Sequence, residues 1–172
     1  LPEQNVECSW GNKVRFKNNR YQHYEVAGRY LLLETSQYEN NRIVDTKKVF
    51  LDLMAKNYKT GKKKLVDLFQ KNVNDILDQM STVFIDQDPL LRSQGIMVIY
   101  YLLFKTFKEK NKKITRIQLE KFEDRVKTNR KIAEESYEFA DFDLIEFDRL
   151  SQYGTNDVSN IKERLRIITE YL

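Results

Sequence analysis

The sequence predicts an all-α protein, an irregular bundle of six or seven helices around a central apolar helix, with a short hairpin at the N-terminus. Three observations carry that prediction. Only five Gly and two Pro occur in 172 residues, below average usages of about 7% and about 5%, and these residues are the usual punctuation of turn-rich β architectures. Apolar residues recur at spacings of three and four through most of the chain, which is the period of one helix face. The nine residues from Ile96 to Phe104 are apolar throughout, and a helix with no polar face must be surrounded by others.

Composition sets the frame for the elements. A chain of this length buries roughly 70% of the surface its unfolded form exposes, and 41% hydrophobic residues with ten Phe and ten Tyr supply the material. Cys8 stands alone and cannot form an intramolecular disulfide, and no Asn-x-Ser/Thr sequon or signal-like stretch occurs. A reducing, cytoplasmic setting is therefore expected. The apolar run is about half of the roughly 20 residues that cross a bilayer, so no membrane contact is expected. A start at Leu1 rather than Met reads as a piece of a longer protein.

Residues 1–18 form the least helical segment. Gly11-Asn12 could close a two-residue hairpin between Glu7–Trp10 and Lys13–Phe16, although its register pairs Trp10 with Lys13 and Cys8 with Arg15. Residues 19–172 read as a single helical domain. A first helix runs from Asn19 to about Glu34, with Tyr24, Ala27, Leu31 and Val26, Tyr30, Leu33 in helical register. After the polar Asn40-Asn41 loop, Asp45 is placed to cap a second helix by accepting from Lys47 or Lys48 N–H, and Phe50, Leu53, Met54 and Tyr58 form its inner stripe. Gly61 ends it.

A third helix, Lys63 to Phe84, carries Leu65, Phe69, Val73, Ile76, Met80 and Phe84 on one side, widened by Leu68 and Leu77. Asp88-Pro89 then reads as N-cap and first residue of the central helix. Thr115 and Gln118 fit a capping box, in which each side chain satisfies the other's free backbone N–H, and that helix reaches about Tyr137. A short helix from Asp141 to Ser151, a Gln152–Asn156 loop and a last helix capped by Asp157 complete the chain.

Charge is unevenly laid out. From Lys105 to Lys131 there are eleven Lys or Arg against four acids, and from Ile132 to Asp157 eight acids against one Arg, so +7 abuts −7 within an overall +4. A basic block of this density can neutralise several phosphates, and Lys105, Lys108, Lys112, Lys113 and Arg116, clustered at a helix junction, are the candidate nucleic-acid contacts. The alternative is that the two blocks solvate opposite faces or lie against each other.

The chemical inventory is short. One His and one Cys cannot build a Cys/His zinc site, and Gly61-Lys62-Lys63-Lys64 lacks the leading Gly and the hydroxyl of a phosphate loop. No catalytic residue, metal or cofactor is assigned. Arg20, His23, Glu25 and Arg29 form a polar cluster within about two and a half helical turns, which could orient a phosphate or act as a surface ion-pair set. Asp141, Asp143, Glu146 and Asp148 could ligate magnesium, but acids in a first turn also stabilise the helix dipole.

Arg20-Tyr-Gln-His23-Tyr-Glu25 with Arg29-Tyr-Leu-Leu-Leu33, Phe122-Glu-Asp-Arg125 with Asn129-Arg130 and Ala133-Glu134-Glu135, and Phe147-Asp-Arg-Leu-Ser151 with Gly154-Thr-Asn-Asp157 together carry a family resemblance. The arrangement resembles the helical region that follows the catalytic part of GmrSD-type restriction proteins, over residues 19–172. The resemblance implies a non-catalytic accessory module of a bacterial DNA-defence protein, with DNA or the parent's catalytic domain as partner. The family's ParB-like domain, its Asp-Gly-Gln-Gln-Arg type signature and its HNH motif have no counterpart here. The rival expectations are a structural or oligomerising module and a helical ribonuclease using His23.

Overall fold

The apolar run forms the axis of the molecule. In the structure, a computed structural model that describes residues 10–15 and 22–172, it lies in α5 (Gln94–Glu109), whose residues Gly95 to Phe104 and Phe107 are all buried. Ser93 caps this helix by accepting from the Ile96 N–H. A fully buried Leu, Ile or Phe stabilises the fold by about 1.5–3 kcal/mol each, which is why the rest of the chain wraps this segment.

The remaining helices are α1 (Trp10–Lys13), α2 (Gln22–Asn40), α3 (Lys48–Tyr58), α4 (Lys63–Ser81), α6 (Arg116–Glu135), α7 (Phe142–Gln152) and α8 (Val158–Tyr171), with a 3₁₀ turn at Tyr137–Phe139. The all-α expectation holds, and no strand forms among the described residues beyond one isolated bridge between Val14 and Asp88. Gly11 and Asn12 lie inside the single turn of α1, so the expected hairpin turn is absent there, and helical backbone keeps Trp10 and Lys13 from pairing as strands. The flanking residues 1–9 and 16–21 lie outside the described residues.

Side-chain contacts give the directions of the helices. Tyr30 stacks on Tyr101 with centroids 4.4 Å apart, and Glu34, one turn on, meets Lys105, so α2 and α5 run in the same sense. Tyr38 meets Phe69 edge-on at 5.5 Å, while Asn72 donates to Glu34 at 3.2 Å, so α4 runs against both. Leu51 lies against Gly28 and Tyr58 donates to Glu39 at 2.5 Å. Helix α3 therefore follows α2 in the same sense, the chain returning between them through residues 43–47.

That return is where two caps differ from expectation. Asp45 does not cap α3, whose N-cap position is Lys47 with no side-chain cap bond. Its Oδ1 instead accepts from the Val158 N–H at 2.6 Å and so caps α8, 113 residues away. Asp157, which occupies the N-cap position of α8 by sequence, makes no cap bond and pairs with Lys47. The two aspartates have exchanged tasks because the 44–47 segment is clamped beside the Gly154–Asp157 loop, where Thr46 N–H donates to the Asn156 carbonyl at 2.9 Å. Arg29, buried on α2, donates to the Asn156 side chain at 2.6 Å.

Asp88 also departs from its expected role. It is fully buried and accepts from the N–H groups of Ile85 and Leu90, both at 2.9 Å, and from Arg116 at 2.5 Å. With its oxygens so occupied, Asp88-Pro89 forms a turn and the helix starts six residues later, at Gln94. The capping box at Thr115 and Gln118 forms as expected, and Asp141, expected as the first residue of its helix, caps α7 by accepting from the Asp143 and Leu144 N–H groups.

Arg164 is fully buried among carbonyls, donating to Thr155 at 2.9 Å, Asn160 at 3.4 Å and Gly95 at 3.5 Å. Burial pulls its guanidinium down to about 10. It ties the loop before α8 to the first turn of α5, where Gly95 leaves no room for a Cβ: one built there would lie 2.8 Å from Thr155 Cβ.

Candidate nucleic-acid interface

The five cations expected at the α5–α6 junction divide into two groups. Lys105 reaches inward to the buried Glu34, which also accepts from Tyr101 at 2.7 Å and Asn72 at 3.2 Å. Arg116 bonds the buried Asp88, Glu120 at 2.8 Å and the Val83 carbonyl at 3.3 Å. Removing one member of such a buried pair costs about 3–5 kcal/mol, because the other charge is left uncompensated. Lys105 and Arg116 are thus braces of the fold, and this corrects their place in the expected contact set.

Lys108, Lys112 and Lys113 face solvent. Lys108 meets Asp75 only at 3.8 Å, both side chains being nearly half exposed, a contact of the kind that contributes little. The turn that presents the other two is closed by the Lys112 N–H donating to the Phe107 carbonyl at 2.8 Å, with Asn111 in the left-handed region at φ 53°. Lys110, Lys112 and Lys113 make no ion pair with any described residue.

A second basic element joins them. Lys56, Lys59, Lys62, Lys63 and Lys64 fall within nine residues that contain no acid, at the hairpin between α3 and α4, and all five are exposed. Gly61, at φ +76°, allows the tight reversal, and Lys62 lies over the Tyr58 ring at 4.4 Å. Because α3, α2 and α5 run in one sense and α4 in the other, the C-terminal ends of α3 and α5 and the N-terminal end of α4 point towards the same end of the bundle. The N-terminus of α4 has no side-chain cap, but the C-terminal dipoles of α3 and α5 oppose its dipole at this end, so the positive potential comes from the lysines. The long charge blocks concealed this element, whereas a nine-residue window reveals it.

The other candidate residues are engaged in the fold. Arg20 lies outside the described residues. Glu25 pairs with Arg29 at 2.7 Å, and Arg29 also donates to Asn156; the His23 ring sits near Gly11, and burial lowers its pKa. Asp141 caps α7 and accepts from the Tyr171 hydroxyl. Asp143 pairs with Arg166 at 2.8 Å, Glu146 with Arg149 at 2.6 Å and Asp148 with Arg130 at 2.5 Å. The Arg149 bond holds the Glu146 carboxyl below its usual range. Asn129 clamps the Asp141 backbone at two points, donating to its carbonyl at 2.8 Å and accepting from its N–H at 2.7 Å.

Among the described residues no group of three or more His, Cys, Asp or Glu is placed to hold a metal ion, and no helix is long and apolar enough to cross a membrane. Fold and site together define a helical bundle with a lysine-rich end. Comparison with known proteins finds no matching family model, curated relative or solved structure.

Proposed function

We propose that this chain is a non-catalytic helical module that holds the backbone of DNA without reading its sequence, as an accessory part of a restriction-type defence protein. The observation that carries this reading is the grouping of exposed lysines, Lys59, Lys62, Lys63 and Lys64 with Lys108, Lys110, Lys112 and Lys113, at one end of the bundle. Most of them have no carboxylate partner, so binding a phosphate breaks no internal bond. Lysines on turns act as mobile point charges that track a backbone, and they lack the forked geometry that reads a base edge. The resemblance to the helical region of GmrSD-type restriction proteins supplies the context, with the catalytic centre in another part of the parent protein.

The test is fluorescence anisotropy with labelled double-stranded DNA over a salt series. Binding should weaken with salt with a log–log slope of about −0.9 per phosphate neutralised. Reversing Lys62, Lys63, Lys112 and Lys113 to Glu should flatten the slope by about one unit per lysine lost while leaving the far-ultraviolet circular dichroism unchanged. An unaltered slope in that variant, or no binding at low salt, refutes the reading.

A further inference from the structure

The second helix was expected to turn Phe50, Leu53, Met54 and Tyr58 inward. In the structure α3 has no fully buried residue. Met54 and Tyr58 are half-buried, while Phe50 and Leu53, with Val49, lie open, Val49 at 65% and Leu53 at 55% exposure. Val49, Leu53 and Lys56 follow at spacings of four and three and so share the outer face of the helix. The reason is that α2 alone covers α3 substantially, and the inward positions are taken by Leu51, Met54 and Tyr58.

A second apolar surface lies at the corner between α6 and α7. Tyr137, Phe139 and Phe142 are exposed at 58%, 76% and 62%, and Tyr137 and Phe142 meet edge-on at 5.5 Å. Exposed rings grouped in this way mark an interaction surface. Glu134, Glu135 and Glu138 surround them, all exposed and none in an ion pair with a described residue. From Glu134 to Asp143 the chain carries five acids and no base, and from Leu53 to Val66 five lysines and no acid. These two exposed apolar surfaces thus carry opposite charge.

From this complementarity we infer that the partner of the aromatic corner is the α3 face of a second copy of the same chain. Phe139 and its neighbours cover Val49, Phe50 and Leu53, and the Glu134, Glu135 and Glu138 carboxylates face Lys56, Lys59 and Lys62. Lysine ammonium groups above the open Tyr137 and Phe142 rings add a cation–π component. Each contact joins unlike surfaces, so two copies close it reciprocally in a two-fold dimer, or further copies extend it head to tail into a larger ring or a filament. This inference goes beyond the proposed function and shares Lys59 and Lys62 with it, so DNA and a second copy compete for that face; the test uses no nucleic acid and reads assembly alone.

Sedimentation equilibrium of the full chain over a concentration series tests it. The average mass should rise above the 20.7 kDa of one chain with concentration and fall back as salt is added. Two variants separate the surfaces: Phe139→Ser with Glu138→Lys, and Leu53→Ser with Lys56→Glu. Each alone should stay monomeric, and because every changed side chain is exposed, both should keep the native circular dichroism. Mixed one to one, they should form a two-chain species and nothing larger, since each retains the surface the other has lost. A wild-type chain that stays monomeric, or a mixture that fails to pair, overturns the inference.

Discussion

Replacing Asp45 by Ala should destabilise the protein more than replacing Asp157 by Ala, although Asp157 is the residue that sequence position assigns to the cap of α8. Asp45 Oδ1 accepts the Val158 N–H at 2.6 Å, a short charge-assisted bond at a helix N-terminus. Loss of an N-cap costs about 1 kcal/mol, within a range of roughly 0.5–2, and loss of the carboxylate's interaction with the dipole adds about 0.3–1 kcal/mol. The sum, about 1–2 kcal/mol, corresponds to a lowering of the melting midpoint by roughly 2–8 °C at this chain length. Asp157→Ala leaves that cap in place and removes only the half-exposed pair with Lys47, so its effect should be clearly smaller. Asp45→Asn keeps an accepting oxygen and should fall between them. Thermal and urea unfolding followed by circular dichroism measure all three. If Asp157→Ala proves as costly as Asp45→Ala, the exchange of caps is wrong.

Gly95→Ala places a Cβ 2.8 Å from Thr155 Cβ, and overpacking of this kind costs about 1–3 kcal/mol, partly offset by up to about 1 kcal/mol of helix propensity. A lowered urea midpoint is expected, and an unchanged one would mean that the loop before α8 yields freely. Burial raises the phenols of Tyr30, Tyr100 and Tyr101 well above their ordinary range, and burial with the Glu39 carboxylate brings Tyr58 up to about 12. Since the fold favours their neutral forms, stability should be intact below the unfolded value of about 10 and decline as pH rises beyond it. Phenolate absorbance should therefore show a late group of tyrosines that titrates together with loss of helical signal, and a single step near pH ~10 with helicity intact would contradict this.

The parts of the fold that are legible in the sequence are those set by neighbours in the chain. The apolar run announces its own burial, and the Thr115–Gln118 box closes over three residues. What escapes a reading of the sequence depends on partners brought from elsewhere. Asp88 looks like a helix start until Arg116 and the Ile85 N–H occupy it. Asp45 and Asp157 look interchangeable until the 44–47 segment settles beside the Gly154 loop. In the candidate interface, density of charge is readable but commitment is not: Lys105 and Lys112 look alike, yet one closes a buried network around Glu34 and the other faces water. On α3, periodicity identifies the apolar stripe, while only the packing decides that part of it stays uncovered.

The long-range cap has a consequence for biosynthesis. A chain emerging from the ribosome presents α2 and α3 early, but the groups that hold the 44–47 segment are the Val158 N–H, the Asn156 carbonyl and the Asp157 carboxylate, the first of them 113 residues on from Asp45. The early helices must therefore wait, with Arg29 and Asp45 still hydrated, until residues 156–158 have emerged. A chain that ends before α8 loses more than one helix, because the first third of the molecule is closed by the last. Closure of this bundle therefore depends on synthesis having reached α8.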